Sequence, residues 1–438
     1  MSQYLCQPIH KPVSAQVVLP GSKSITNRAL VMAALAEGHS ILRNVLLAED
    51  TWLMIEALRS LGIAITVDER GGAAEITGCR GFIPEEEASL FCGNSGTTIR
   101  FCTAVCALGH GRFELDGIAR MRERPIGGLG SALQQLGGAI EYIQKEGFPP
   151  LAVHAHGLRG GEVTIDSPES SQMVSALLMA APYAANDVLI ELTGEIPSAP
   201  YLAMTTAMME QFGVVVLASV PQRGRSAFDG WRFVVETRQS YHASAYAIEP
   251  DASNASYFLA APAIAGGRVT VQGLRASSIQ GDVRFVDVLE RMGCRIERGE
   301  ASLTVAGPGD RLSGIDVDLN DMPDMAPTLA VVALFAEGQT TIRNVATLRV
   351  KETDRLAALD HELTKLGAKV DEMPDGLIIQ PPRSPAPATI ETYNDHRMAM
   401  SFALAGLKVR GLRINDPECV AKTFPDFFAR FERMCEGI

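Results

Sequence analysis

Leu35-Ala36-Glu37-Gly38-His39-Ser40-Ile41-Leu42-Arg43-Asn44-Val45 returns far along the chain as Phe335-Ala336-Glu337-Gly338-Gln339-Thr340-Thr341-Ile342-Arg343-Asn344-Val345. Both copies follow an Ala-rich apolar helix pattern. Both precede a second helix pattern that ends in Leu-Gly and an alternating strand, at Leu61-Gly62-Ile63-Ala64-Ile65 and at Leu366-Gly367-Ala368-Lys369-Val370. Gly at that place suits a left-handed helix C-cap. The same ending recurs at Leu136-Gly137, Phe212-Gly213 and Met292-Gly293. The spacing of roughly 75 to 80 residues is too long for a solenoid and fits a small folding unit of helix, strand, helix and strands. Six such units, the last truncated at the carboxyl end, account for nearly the whole chain, which is therefore expected to be α/β.

The helix that opens each unit starts alike. Gly21-Ser22-Lys23-Ser24-Ile25-Thr26-Asn27-Arg28 lies between the strand-like Val17-Val18-Leu19 and an Ala/Leu/Met-rich run. Comparable starts stand at Gly93-Asn94-Ser95-Gly96-Thr97, Glu169-Ser170-Ser171-Gln172, Asp251-Ala252-Ser253-Asn254, Asp321-Met322-Pro323-Asp324 and Asn394-Asp395-His396-Arg397. A helix start exposes unpaired N–H groups at the positive end of the dipole, and nearby Lys or Arg adds charge, so anions are the expected ligands. For any single start, capping by Ser or Asp is the simpler account. Recurrence in six units points to binding. Arg349-Val350-Lys351-Glu352-Thr353-Asp354-Arg355 is the densest charge cluster, and Lys351 and Arg355 are expected on one helical face. In Glu123-Arg124-Pro125, Pro125 is expected at the first helical position.

The 438 residues exceed one ordinary core, so two domains are expected, with units divided near residue 240 beside the polar stretch Gln222-Arg223-Gly224-Arg225-Ser226. A composition of 47% hydrophobic and 21% charged residues is that of a globular protein, and the net charge of −12 argues against general nucleic-acid or membrane-surface binding. Eight Cys without a Cys-x-x-Cys pair are read as reduced thiols in a cytoplasmic protein, with Cys102 and Cys106 in the core and no metal site. Met1 to His10 lacks the regions of a signal peptide, and no apolar run approaches the ~20 residues that span a bilayer. Gly21-Ser22-Lys23-Ser24 lacks the glycines of a phosphate loop, and Gly93-Asn94-Ser95-Gly96 lacks dinucleotide spacing, so ATP and NAD are not expected.

Six segments in order resemble the 5-enolpyruvylshikimate-3-phosphate synthase family. They are Leu19 to Arg28, Gly93 to Thr97, Arg120 to Gly127, Arg349 to Arg355, Asn394 to Met400 and Ala421-Lys422-Thr423-Phe424-Pro425. The resemblance implies two similar domains, each of three βαβαββ repeats with helix N-termini converging on the interdomain cleft. The domains would be 21–240 and 1–20 plus 241–438, joined by two crossings. It implies a monomer without cofactor that transfers enolpyruvyl from phosphoenolpyruvate to the 5-hydroxyl of shikimate 3-phosphate.

By the same resemblance, Lys23, Ser24, Arg28, Ser170, Ser171, Gln172, Ser198, Tyr201, Asp324, Thr347 and Lys351 would hold shikimate 3-phosphate. Lys23, Gly96, Arg124, Gln172, Arg355, Arg397 and Lys422 would surround phosphoenolpyruvate, with Asp324 as base, Glu352 as acid and Lys23 assisting. Multiple cations suit ligands that carry phosphates and carboxylates, and bidentate Arg suits both groups. Four positions depart from the commoner family pattern: Ser95 for Ala, Phe101 for Pro, Ala199 for Lys and Thr347 for Asn. Gly96 is retained, which implies sensitivity to glyphosate. Two rivals are the related transferase acting on UDP-N-acetylglucosamine, whose usual reactive Cys is absent from Gly117 to Arg124, and a non-catalytic anion-binding protein on the same scaffold.

Overall fold

The computed structural model describes residues 2–219 and 230–437, so the polar stretch from Gln222 to Ser226 lies outside the described residues. One repeat shows the plan of the rest. Strand β6 (Glu87–Phe91) leads into helix α3 (Gly96–Cys106), which returns in β7 (His110–Asp116). Helix α4 (Gly127–Gln135), β8 (Ala139–Tyr142) and β9 (Leu151–His156) complete it. The sheet order is β6-β7-β9-β8, with β6 and β7 parallel and the other pairs antiparallel. The helical crossover permits the parallel pair, and the short β8–β9 connection dictates the antiparallel one. Gly137 closes α4 at φ +93°, a conformation a side chain would strain.

The next repeat runs β10 (Gly161–Asp166), α5 (Ser171–Ala180), β11 (Val188–Thr193), α6 (Pro200–Gln211), β12 (Leu217–Ser219) and β13 (Trp231–Val235), in sheet order β10-β11-β13-β12. A third holds α1 (Lys23–Leu35), β3 (His39–Arg43), α2 (Glu49–Ser60), β4 (Ala64–Asp68) and β5 (Ala73–Thr77). Its first strand comes from the far end of the segment: β14 (Ala245–Ala247) runs parallel to β3, with Ala245 opposite Ile41.

The remaining residues repeat the plan. Strand β2 (Val13–Val18) pairs in parallel with β15 (Gly267–Gln272), in the repeat of α7 (Ala252–Ala265), α8 (Phe285–Arg291), β16 (Arg295–Arg298) and β17 (Ser302–Ala306). The fifth repeat is β18 (Asp316–Asp318), α9 (Ala326–Ala333), β19 (Thr340–Arg343), α10 (Arg355–Lys365), β20 (Lys369–Met373) and β21 (Gly376–Gln380). Among the described residues the sixth has three strands. In it β22 (Thr389–Ile390), α11 (His396–Ala405) and β23 (Arg413–Asn415) are completed by β1 (Gln3–Leu5), antiparallel to β23, before α12 (Phe427–Glu436).

The chain divides into two compact units, Lys23–Ile248 and Met1–Ser22 with Glu249–Ile438. Residues 241–248, which the sequence reading assigns to the second domain, lie in the first unit because β14 is hydrogen-bonded to β3. Gly21 and Ser22 lie with the other unit, where Gly21 bridges Pro250 and the Ser22 N–H donates to the Glu249 carbonyl.

The opening helices form the interiors. Every residue of α3 is buried, as are Ile25–Leu35 of α1 and Met173–Ala180 of α5. Helices α7, α9 and α11 fill the same place in the other unit and contact one another. A helix apolar around its whole circumference is stable only in a core, and each buried Leu or Phe there contributes roughly 1.5–3 kcal/mol. The charged residues of these helices, Lys23, Arg28, Arg100, His396 and Arg397, fall within their first two turns, so the fold itself sets cations near the helix N-termini. All eight Cys are free, and Cys102 and Cys106 lie buried in α3. Among the described residues, no helix is long and apolar enough to cross a membrane.

Candidate active site

In the unit Lys23–Ile248, the starts of α1, α3 and α5 carry most of the expected residues. The Lys23 ammonium lies 3.0 Å from the Asp50 carboxylate on α2. Arg28, one turn into α1, is fully buried, and burial pushes its guanidinium down to about 10, still protonated at neutral pH. It donates to the Thr205 hydroxyl (2.8 Å), the Ser24 carbonyl (3.1 Å), the Ser175 hydroxyl (3.1 Å) and the Tyr201 carbonyl (3.5 Å). Neutral oxygens orient the cation without cancelling its charge.

Around Gly96 a second group assembles. Arg124 donates to the Asn94 carbonyl (2.8 Å) and side-chain oxygen (3.1 Å). Arg100 donates to the Gly96 carbonyl (3.2 Å), the Gln172 side-chain oxygen (2.9 Å) and the Pro125 carbonyl (2.7 Å). A Cβ on Gly96 would lie 2.5 Å from an Arg124 nitrogen and 2.7 Å from an Arg100 nitrogen, so only glycine admits both guanidiniums. Ser95 caps this helix through the Thr98 N–H, and its hydroxyl accepts from the Thr98 hydroxyl at 2.8 Å. Ser at this place is a good N-cap, where the Ala implied by the resemblance would not cap.

Ser170 caps α5 by accepting from the Gln172 N–H, and Ser171 is buried beside it. Ser198 stands in the left-handed region at φ +56°, two residues before α6, and a non-glycine residue held there is strained. Tyr201 follows on α6, its ring 5.8 Å from the Arg28 guanidinium.

In the other unit the groups are linked directly. Arg355 is almost wholly buried and binds three carboxylates. Its Nε and Nη2 hold Asp395 at 2.7 and 3.2 Å, its Nη1 holds Asp324 at 2.9 Å, and its Nη2 holds Glu352 at 2.8 Å. Arg397 takes the other Asp324 oxygen at 2.9 Å and reaches the Tyr257 hydroxyl at 3.4 Å. Burial pushes the Asp324 carboxyl up, but Arg397, Lys351 and Arg355 together outweigh it and hold the group well below the usual carboxylate range. Asp324 is therefore ionised, with both oxygens already occupied by cations.

Two local expectations are corrected. Helix α10 begins only at Arg355, because the Asp354 carboxylate caps the Leu356 and Ala357 N–H groups. Lys351 precedes the helix in extended backbone, so the four-residue spacing does not place it on one face with Arg355. Helix α4 begins at Gly127, two residues beyond Pro125.

Thr347 lies in the 3-10 turn Ala346–Val350, its hydroxyl buried without a hydrogen-bond partner among the described residues. Lys422 ends the turn Pro417–Lys422, packed on α11. The sequence reading missed Asp395, Arg100 and Asp50. Asp395 stands inside a segment already singled out, and Arg100 lies three residues beyond Gly93 to Thr97. Asp50 had a signal in the repeat: acidic residues stand at the start of the second helix after the duplicated stretch in both copies, Glu49-Asp50 within α2 and Glu352 and Asp354 just before α10. Among the described residues, no cluster of His, Cys, Asp and Glu is suited to a metal.

Known proteins resemble this chain along its length. Residues 8–431 match the family described as EPSP synthase (3-phosphoshikimate 1-carboxyvinyltransferase). A 3-phosphoshikimate 1-carboxyvinyltransferase from Nitrosomonas europaea is 49% identical, covering 98% of each chain, and one from Nostoc punctiforme is 48% identical over the same share. The chloroplastic protein of that name from Arabidopsis thaliana is 47% identical over 99% of this chain and 84% of its own. An EPSP synthase structure from Acinetobacter baumannii superposes with a TM-score of 0.80 at 26% identity, covering 99% of this chain and 98% of that one.

Proposed function

The chain belongs to the EPSP synthase family, and from that premise we propose how its residues carry enolpyruvyl transfer from phosphoenolpyruvate to the 5-hydroxyl of shikimate 3-phosphate. The observation that supports the roles most is the Arg355 hub, which holds two carboxylates, Asp324 and Glu352, on one guanidinium. Asp324 takes the proton of the 5-hydroxyl as its oxygen attacks C2 of phosphoenolpyruvate. Glu352 delivers a proton to the C3 methylene, giving a tetrahedral adduct. Breaking the C2–O bond to phosphate, with loss of a C3 proton, yields the enolpyruvyl ether.

A carboxylate held far below its ordinary pKa is a weak base. Anionic phosphoenolpyruvate drawing on Arg355 and Arg397 would weaken their hold on Asp324 and raise its basicity, so substrate binding arms the base. Lys23, Gly96, Arg124, Gln172, Arg355, Arg397 and Lys422 are proposed to bind phosphoenolpyruvate. Lys23, Ser24, Arg28, Ser170, Ser171, Gln172, Ser198, Tyr201, Asp324, Thr347 and Lys351 are proposed for shikimate 3-phosphate, and the buried Thr347 hydroxyl suits a ligand partner. The two units are proposed as the two domains of a cytoplasmic monomer that needs no cofactor.

Phosphate release on mixing the protein with both substrates tests the reading, with Asp324→Ala and Glu352→Gln alongside. Release by the wild type and a fall of about 10²–10⁴-fold in each variant is expected. Undiminished release by the variants would overturn the roles.

A further inference from the structure

We propose that Asp50, which no part of the reaction uses, is a positioning residue that fixes the Lys23 ammonium at the anion site. The inference rests on the proposed substrate role of Lys23. Asp50 is 2% exposed, and a carboxylate so buried needs a cation to offset its lost hydration. Lys23 supplies it at 3.0 Å, while its own side chain stays 17% exposed and so remains in reach of a ligand.

The pair is fastened to the neighbouring helix starts. The Thr98 hydroxyl, which donates to the Ser95 cap of α3 at 2.8 Å, stands 3.4 Å from the Asp50 carbonyl. Asn27 on α1 donates to the Thr97 hydroxyl at 2.8 Å. Lys23 is thereby held in fixed register with Gly96 and the N–H groups that open α3. A Lys side chain free to rotate would lose several rotamers on binding an anion, and Asp50 removes that cost beforehand.

The pair also governs charge. On α1 and α3 the further charged groups are the buried cations Arg28 and Arg100. The other charged groups on packed elements are Glu49, Glu56 and Arg59 on α2, His39 and Arg43 on β3, Glu75 on β5 and Glu210 on α6. All stand at the surface, Arg59 partly covered. Asp50 is thus the buried carboxylate that keeps Lys23 cationic among cations.

The test is the titration of Lys23, read by NMR of lysine-labelled full-length protein and assigned with Lys23→Arg. In the wild type Lys23 is expected to titrate above the ordinary ~10.4 of Lys. In Asp50→Asn it should fall by about one unit or more. In the same variant KM for both anionic substrates should rise about tenfold or more, with kcat reduced less, and Asp50→Glu should recover part of the loss. A wild-type Lys23 titrating at or below the ordinary value overturns the proposal even if Asp50→Asn does not fold. So does a folded Asp50→Asn whose titration and KM are unchanged. If the wild type releases no phosphate while the titration moves as stated, the functional reading fails and the pairing of Asp50 with Lys23 stands.

Discussion

The guanidinium carbon of Arg28 lies 5.3 Å from the centroid of the Phe101 ring and 5.8 Å from that of Tyr201. A fully buried cation held only by neutral oxygens is costly, and the faces of two aromatic rings offset part of that cost. Phe101 is also wholly buried within α3. Phe101→Ala should therefore cost about 3–5 kcal/mol of stability by denaturant unfolding. A loss below about 1 kcal/mol would show that the ring does not support Arg28.

Arg355 is the most consequential single side chain. Arg355→Ala leaves Asp324, Asp395 and Glu352 without their shared cation, which should destabilise the fold by about 3–5 kcal/mol and abolish phosphate release. Arg355→Lys, a point charge in place of a planar fork, should recover stability in part but little activity. Equal recovery of both would mean that charge alone suffices there.

Asp282 supplies a pH dependence. It is buried, accepts a hydrogen bond from Ser253, and burial together with the nearby Asp324 pushes its carboxyl up to about 6. An acid whose folded pKa lies above its unfolded ~3.9 loses folded-state stability as pH rises through that interval. The loss from this group should be complete near pH 7 and reach about 3 kcal/mol at most. Asp282→Asn should flatten the stability profile between about pH 4 and 7, measured by thermal unfolding. A profile as steep as the wild type's would assign the slope to other groups.

Gly96→Ala places a methyl group where guanidinium nitrogens of Arg124 and Arg100 already stand. Both are far ends of flexible side chains, so the protein should fold while Arg124 shifts off Asn94. KM for phosphoenolpyruvate should rise about tenfold or more, with a smaller change for shikimate 3-phosphate. Equal changes in both would argue that the helix start as a whole has moved.

Much of this architecture was legible because its signals are local. The duplicated stretch from Leu35 to Val45 marks a helix end and strand by residue type alone, and Ser95, Ser170, Asp251 and Asp395 each cap the helix expected after them. What escaped depends on contacts distant in sequence. Nothing in Ala245-Tyr246-Ala247 announces a partner at Ile41-Leu42-Arg43. Arg355 stands in an obvious charge cluster, yet its firmest partner is Asp395 on another helix. The helical spacing of Lys351 and Arg355 misled because Asp354 prefers to cap, and a cap residue ends the reach of helical periodicity on its N-terminal side.

Strand β2 bears on how the protein is made. Its parallel partner β15 is encoded some 250 residues downstream, which at ~5–20 residues per second is on the order of ten to fifty seconds of translation. Through that interval the unit Lys23–Ile248, whose residues are contiguous, can emerge and fold. The strand bearing Val13 and Val17 meanwhile waits unpaired, an apolar edge open to chaperones or to aggregation.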